Sequence, residues 1–356
     1  MKAWAVVFIL IGFVVACQPE PNDKPKTYIP TPYNLSIPPS LPQVNFPADN
    51  PFTVEGVALG RKLFWDPILS ADSTQSCASC HAPEFAFTDN GLATSTGIRG
   101  MNGTRNSMPI MNLMYSPSCF WDGRAQTLHH QALMPIEDPL EMDDNLANVI
   151  SKLENSAFYP EDFRKAFGNA GINEERIGLA LEQFMLTFIS GDSKFDRFML
   201  GQEQLTPAEQ RGMAIFNGDI ESNGTDAAGD CFHCHGQSVF SNNLFMNNGL
   251  DSTLTDLGLF LATGDENDKG KFKVPSLRNI DLTGPYMHDG RFQTLFEVID
   301  FYDSEVHSDS PNLDPQMHGI EQGLNLTPQE MSDLLSFLST LTDSAFVHNP
   351  DFQSPF

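Results

Sequence analysis

Two short segments carry the residues best suited to chemistry. Cys77-Ala-Ser-Cys80-His81 and Cys231-Phe-His-Cys234-His235 each place two thiols and an imidazole within one short run. In a c-type haem site the thiols add across the porphyrin vinyl groups, and the adjacent histidine, held by that covalent loop, ligates the iron from one side. A zinc ribbon needs its cysteine pairs roughly 15–20 residues apart, and a thioredoxin-like motif needs a βαβ context. Neither condition is met. Two covalently bound haem c groups are therefore expected, one on Cys77, Cys80 and His81, the other on Cys231, Cys234 and His235. His233 reads as a spacer.

The elements that must position these motifs occur twice. Gly60-Arg-Lys-Leu63-Phe64 precedes the first motif and Gly212-Met-Ala-Ile215-Phe216 the second. Asp122-Gly-Arg-Ala-Gln-Thr-Leu128 follows the first and Asp289-Gly-Arg-Phe-Gln-Thr-Leu295 the second, with Asn112 and Asn279 each ten residues before the aspartate. Three matching features in one order indicate internal duplication. The halves are read as 51–200 and 201–346, followed by a tail, 347–356. Glu174 to Ile189 sets Ile177, Leu181, Phe184, Met185 and Phe188 on one helical face. Thr206-Pro207-Ala-Glu209 and Thr327-Pro328-Gln-Glu330 each open a helix with a cap and a first-turn proline. Alternating strand patterns are scarce, so the expected fold is mainly α with long loops. Asp219 to Asp230, rich in Gly, Asn and Asp, reads as a surface loop.

With 20 Lys and Arg against 46 Asp and Glu, the 356-residue chain has a formal charge of −26, which argues against nucleic-acid binding. A basic protein partner or cationic surface suits that charge. Its 40% hydrophobic content, including 28 Phe, suffices for two cores and excludes a wholly disordered chain. Residues 1–16 read as a signal peptide, Lys2 followed by an apolar run too short for the roughly 20 residues of a membrane span. The run ends Val14-Val15-Ala16-Cys17, similar to the lipobox of bacterial lipoproteins, in which Cys17 would be acylated. A Pro-rich tether, 17–50, follows. The reading is a periplasmic protein held by lipid to a bacterial membrane, the outer one by preference, with no other membrane contact.

Two haems on one acidic chain suit either an electron carrier or an enzyme in which one iron is capped on both faces while the other keeps an open face for a substrate. Tyr302 lies 13 residues after Asp289, in a segment read as helical from Thr294 to Ser304, and the repeat-equivalent residue of the first half is Pro135, which has no side-chain donor. If Tyr302 caps the second iron, the corresponding place over the first is empty.

These residues resemble the bacterial dihaem cytochrome c peroxidase family, including its MauG-type branch. The resemblance rests on the two haem motifs, Phe120-Trp121-Asp-Gly-Arg124, Gln131, the run Pro135 to Met142, Val274-Pro-Ser-Leu-Arg278-Asn279 and Pro285-Tyr-Met-His288-Asp-Gly290. It implies two cytochrome c-like domains, a peroxidatic N-terminal haem and an electron-transfer C-terminal one. It also implies a distal pair, Glu141 as general acid/base and Gln131 holding peroxide. That choice is chemically sensible, because breaking the O–O bond requires a proton to move from one oxygen to the other. Trp121 matches an aromatic relay between the haems. A structural calcium ion would take the Asn106 side chain and the carbonyls of Thr283 and Pro285, with waters. A homodimer is common in the family. Cys119 reads as an inert buried thiol, and His129 and His130 have no assigned role.

Two departures stand out. Family peroxidases carry a loop histidine after the first motif that blocks the peroxide iron until the other haem is reduced. Ser95-Thr-Gly97-Ile98-Arg99-Gly100 has none, so a constitutively open first haem is expected. Where many members have methionine, this chain has Tyr302, the MauG-type ligand, which favours ferric iron. Met246, Met287 and Met317 are the alternative ligands. The leading reading is a peroxidase that reduces hydrogen peroxide to water with electrons from a small cytochrome c or cupredoxin. The alternatives are a MauG-type oxidase acting on a partner protein or organic substrate, and a non-catalytic tethered electron-transfer cytochrome.

Overall fold

The computed structural model describes Met1 and residues 28–44, 46–89, 91–219 and 229–356. The expected signal peptide beyond Met1, the acyl site Cys17, the first part of the tether and most of the Asp219–Asp230 loop lie outside the described residues.

Each half is organised by one close helix crossing. Val54–Trp65 opens with Thr53 Oγ1 accepting from the Gly56 amide, and Glu174–Met185 opens with the Asn173 side chain accepting from the Arg176 amide. Gly60 lets the pair meet: a Cβ there would lie 1.9 Å from the Ala180 carbonyl oxygen and 2.8 Å from Phe184 Cβ. The second half repeats this with Pro207–Phe216 and Pro328–Ser339, both begun by the expected capping boxes, Thr206 with Glu209 and Thr327 with Glu330. Here a Cβ on Gly212 would lie 1.9 Å from the Asp333 carbonyl oxygen. Apolar side chains below each crossing form the cores. Phe64, Phe87, Phe184 and Phe188 form a ring cluster in the first, and Phe195, Phe216, Phe240 and Phe337 in the second.

The duplication extends into the loops. Asn112 and Asn279 both adopt left-handed backbone, φ 54° and 56°, and donate their amides to the Phe188 and Leu341 carbonyls. The segments 119–125 and 286–292 are each closed by one antiparallel bridge. Two helices differ from expectation. The helix predicted to reach Ile189 ends at Met185, where Thr187 and Phe188 take the Phe184 and Met185 carbonyls in tightened i→i−3 bonds that still bury Phe188. The segment 294–304 is α-helical only over Leu295–Asp300, and Phe301–Glu305 widens into a π turn that carries Tyr302. In the first half the equivalent stretch is two single turns, Leu128–Gln131 and Met134–Glu137, with Pro135 in the second. Among the described residues the one sheet is Phe245–Met246 paired antiparallel with Phe272–Lys273.

Residues 28–44 and 46–50, read as the end of a tether, lie along the first half: Tyr33 donates its amide to Phe52, Ser40 Oγ to Gly191, and Leu41 is buried. Phe346, Val347 and Phe352, from the C-terminal end, join the N-terminal core, and Trp65 donates its indole N–H to the Phe352 carbonyl. Arg278, buried with Asp196 in a bidentate pair at 2.8 Å, ties the halves together.

Candidate active site

Two cavities flank Trp121. The larger, about 550 Å³, is lined by Cys80, His81, Arg124, Gln131, Pro135 and Glu141. The smaller, about 220 Å³, is lined by Cys231, Cys234, His235 and Tyr302, together with Met246, Met287 and Met317. Thus each sequence-predicted imidazole shares a cavity with the residues expected across from it, Pro135 bordering the larger and Tyr302 the smaller.

The residues present suit a haem in each cavity. His81 Nδ1 lies 2.8 Å from the Phe87 carbonyl oxygen, and His235 Nδ1 lies 3.1 Å from that of Pro275. A carbonyl fixes Nδ1 as the protonated nitrogen and leaves Nε2 as the ligating one. Burial pushes both imidazoles down, His235 to about 4, so they are in the neutral form that a metal accepts. The four motif thiols are all unpaired. Burial pushes Cys77 and Cys231 up to about 12 and Cys80 and Cys234 to about 11. Among the described residues no cluster of three or more His, Cys, Asp or Glu is arranged to hold a metal ion.

In the larger cavity Glu141 is half-buried. Burial, then the neighbouring Asp138 carboxylate, pushes its acid up to about 6, and the Arg124 guanidinium acts in the opposite direction. Arg124 itself lies 3.5 Å above the Phe120 ring and donates to Asp122 at 3.1 Å. The histidine-free loop supports Glu141 from behind: the Ile98 amide donates to the Glu141 carbonyl at 2.9 Å, and a Cβ on Gly97 would meet the Leu140 carbonyl oxygen at 2.1 Å. No described residue from Ser95 to Gly100 brings an imidazole into this cavity.

Trp121 is buried between the cavities, its indole N–H donating to the Asn106 carbonyl at 2.9 Å. Asn106 is buried beside it, with its amide nitrogen turned to the Leu92 and Ala93 carbonyls, and it borders the smaller cavity with Thr283 and Pro285. In that cavity Asn248 Nδ2 donates to the Tyr302 hydroxyl at 3.0 Å. Burial pushes this phenol up to about 12, and the Asn248 bond acts against that.

Sequence reasoning missed several residues here. Asn248 holds Tyr302, Lys273 lines both cavities, and Arg105 reaches from the first half to Asp256 of the second. His129, left without a role, lies 3.1 Å from Glu182 and fastens the turn that carries Gln131. Cys119 is only partly buried and lines the larger cavity.

A doubled α-helical fold with a paired thiol–imidazole motif in each half defines a dihaem c-type protein. Comparison with known proteins narrows the class. The family described as di-haem cytochrome c peroxidase matches residues 54–204. The chain is 34% identical to the methylamine utilization protein MauG of Methylophilus methylotrophus over 84% of this chain and 86% of that one. It is 32% identical to the cytochrome c551 peroxidase of Nitrosomonas europaea, over 86% and 85% of the two chains. The crystal structure of a MauG-like protein associated with microbial copper homeostasis superposes with a TM-score of 0.79 at 36% identity, covering 91% of this chain and 99% of that one. The chain belongs to the dihaem cytochrome c peroxidase and MauG family, and is an oxidoreductase of that type.

Proposed function

We propose that the protein reduces hydrogen peroxide to water, taking electrons from a small cytochrome c or cupredoxin. The carrying observation is that Glu141 and Gln131 share the larger cavity with His81, while the residue in the place of Tyr302 is Pro135, which supplies no ligand. Bound haem supplies the redox centre at which the O–O bond is cleaved. The balance is one peroxide, two electrons and two protons to two waters. Gln131 positions the peroxide through its amide. Glu141 takes the proton from the near oxygen and returns it to the departing one, which leaves as water. Trp121 carries electrons between the halves, entering through the His235 and Tyr302 side. Asn106, Thr283 and Pro285 would hold the calcium ion and stiffen the junction around Trp121. We assign the chain to the periplasm, anchored through Cys17 to the outer membrane. Among the described residues no helix is long and apolar enough to cross a membrane.

A second reading is favoured by one combination: Tyr302 in the smaller cavity and the absence of histidine from Ser95 to Gly100. Together they suit a MauG-type oxidase that withdraws electrons from a partner protein or organic substrate. Steady-state turnover of peroxide with reduced small cytochrome c separates the two. Rapid turnover supports the peroxidase, and negligible turnover with a long-lived oxidised state supports the oxidase. Either enzyme requires Glu141. Glu141→Gln should slow the reaction with peroxide by about 100-fold or more while both haems remain attached. A silent substitution would leave only an electron-transfer cytochrome.

A further inference from the structure

Lys273 is the buried cation for which the described residues offer no counter-charge. Its side chain is 6% exposed as a residue average, and among the described residues it is the only buried lysine. Nζ donates to Ser116 Oγ at 2.8 Å and to the Ser118 carbonyl, both neutral, and the Phe245 ring centroid lies 5.9 Å away. No described carboxylate lies within ion-pair distance of it. Arg278, buried to a similar degree, has Asp196 instead. An ammonium has three N–H donors, so one remains after the two serine-segment bonds. An unpaired buried charge is strongly disfavoured. Burial accordingly pushes Lys273 down to about 8, with only Cys119 acting against it.

The position of this cation says what completes it. Lys273 lines both haem cavities. Its own amide donates to the Trp121 carbonyl at 2.8 Å, and its strand is paired with Phe245–Met246, so its backbone is anchored beside the relay while Nζ reaches Ser116 and Ser118, which line the larger cavity. A porphyrin of the haem type carries carboxylate side chains. We propose that Lys273 is the counter-cation of a haem carboxylate at the wall shared by the two cavities. It is thereby a positioning residue that fixes the edge of one haem against Trp121. A fixed positive charge at that edge favours the reduced state of the metal, so the pair also raises the potential of the haem whose carboxylate it binds.

The proposal rests on the two-haem reading, and the experiment separates the two. Haem content of the wild-type protein is measured first; fewer than two haems per chain would overturn the reading itself. Potentials of the two haems are then titrated separately at neutral pH, through their distinct optical and EPR signals, in wild type, Lys273→Gln and Lys273→Arg. The expected result is a lowered potential for one haem in Lys273→Gln and a value close to wild type in Lys273→Arg. A shift in the high-spin haem assigns the carboxylate to the N-terminal cavity, and a shift in the low-spin haem assigns it to the C-terminal one. Unchanged potentials for both, with both haems attached, would reduce Lys273 to a structural tie for Ser116 and Ser118 and overturn the proposal. If Lys273→Gln fails to incorporate haem, the resonance Raman propionate bending band of wild type against Lys273→Arg decides. The band must move when ammonium becomes guanidinium, and an unmoved band overturns the pairing.

Discussion

At the scale of single residues, the chemistry turns on one carboxyl group and its immediate charges. Glu141 must be ionised to take a proton from peroxide, and its acid has been pushed up to about 6 by burial and by Asp138. The group is protonated below that value and ionised above it. The second-order rate with peroxide should therefore climb as pH rises through about 6 and then level off. Arg124 works against that upward push. Arg124→Gln should move the inflection to higher pH, because removing a positive neighbour makes the carboxylate harder to form. Stopped-flow rates from about pH 4 to about pH 8, a window of about two units either side of this carboxyl, would test it. An inflection that stays put in Arg124→Gln would mean that another group limits the proton transfer.

At the scale of elements, the loop 95–100 has the least obvious task. It approaches the distal carboxylate from behind, and Gly97 is what allows the approach: any Cβ there would lie 2.1 Å from the Leu140 carbonyl oxygen, which is backbone and cannot swing aside. Gly97→Ala should push Leu140 and Glu141 away, at about 1–3 kcal/mol of stability. Misplacing Glu141 by even an ångström can cost about 100-fold in rate. Both haems should still attach, since Cys77, Cys80 and His81 lie on a different segment. A variant that melts lower but reacts with peroxide at the wild-type rate would show that the loop serves stability alone. This loop also marks where the sequence stops being informative. The haem motifs, the capping boxes and the Pro135/Tyr302 pairing were legible because each depends on residues close in sequence or on a register that duplication repeats. The support of Glu141 by Ile98, the grip of Asn248 on Tyr302 and the buried setting of Lys273 were not. They join distant segments, and Lys273 looks in sequence like its neighbour Lys271. The end of the helix at Met185 and the π turn at Phe301–Glu305 escaped for the same reason, being set by tertiary packing rather than by local propensity.

At the scale of the whole molecule, the two halves act as one body because their charges and ends interlock. Phe346 and Phe352 complete the core of the opposite half, and Arg105 joins three segments. Its guanidinium donates to Asp122 at 2.6 Å within the first half and grips Asp256 of the second at 2.7 and 2.8 Å. The Arg105 side chain is 12% exposed and that of Asp122 4%, so the network is largely out of water. Removing the arginine strips Asp256 of its counter-charge and leaves Asp122 with Arg124 alone, a loss of about 3–5 kcal/mol for a buried pair broken on one side. Burial opposes the charge on Asp256, but the Arg105 bonds and the Gly258 amide outweigh it and hold the carboxyl below its usual range. The sign then follows. A depressed acid contributes stability that is present above its unfolded value of about 3.9 and is lost as pH falls through the folded one. Arg105→Gln should therefore lower the thermal midpoint at neutral pH and flatten the decline of stability on the acid side. Adding Asp256→Asn should recover part of the loss, because one stranded charge is removed. Melting curves of the three proteins at pH 7 and in steps from about 4.5 down to about 2.5, below the unfolded value of the acid, read both effects. Equal slopes on the acid side in wild type and Arg105→Gln would place the coupling of the halves in their apolar contacts instead.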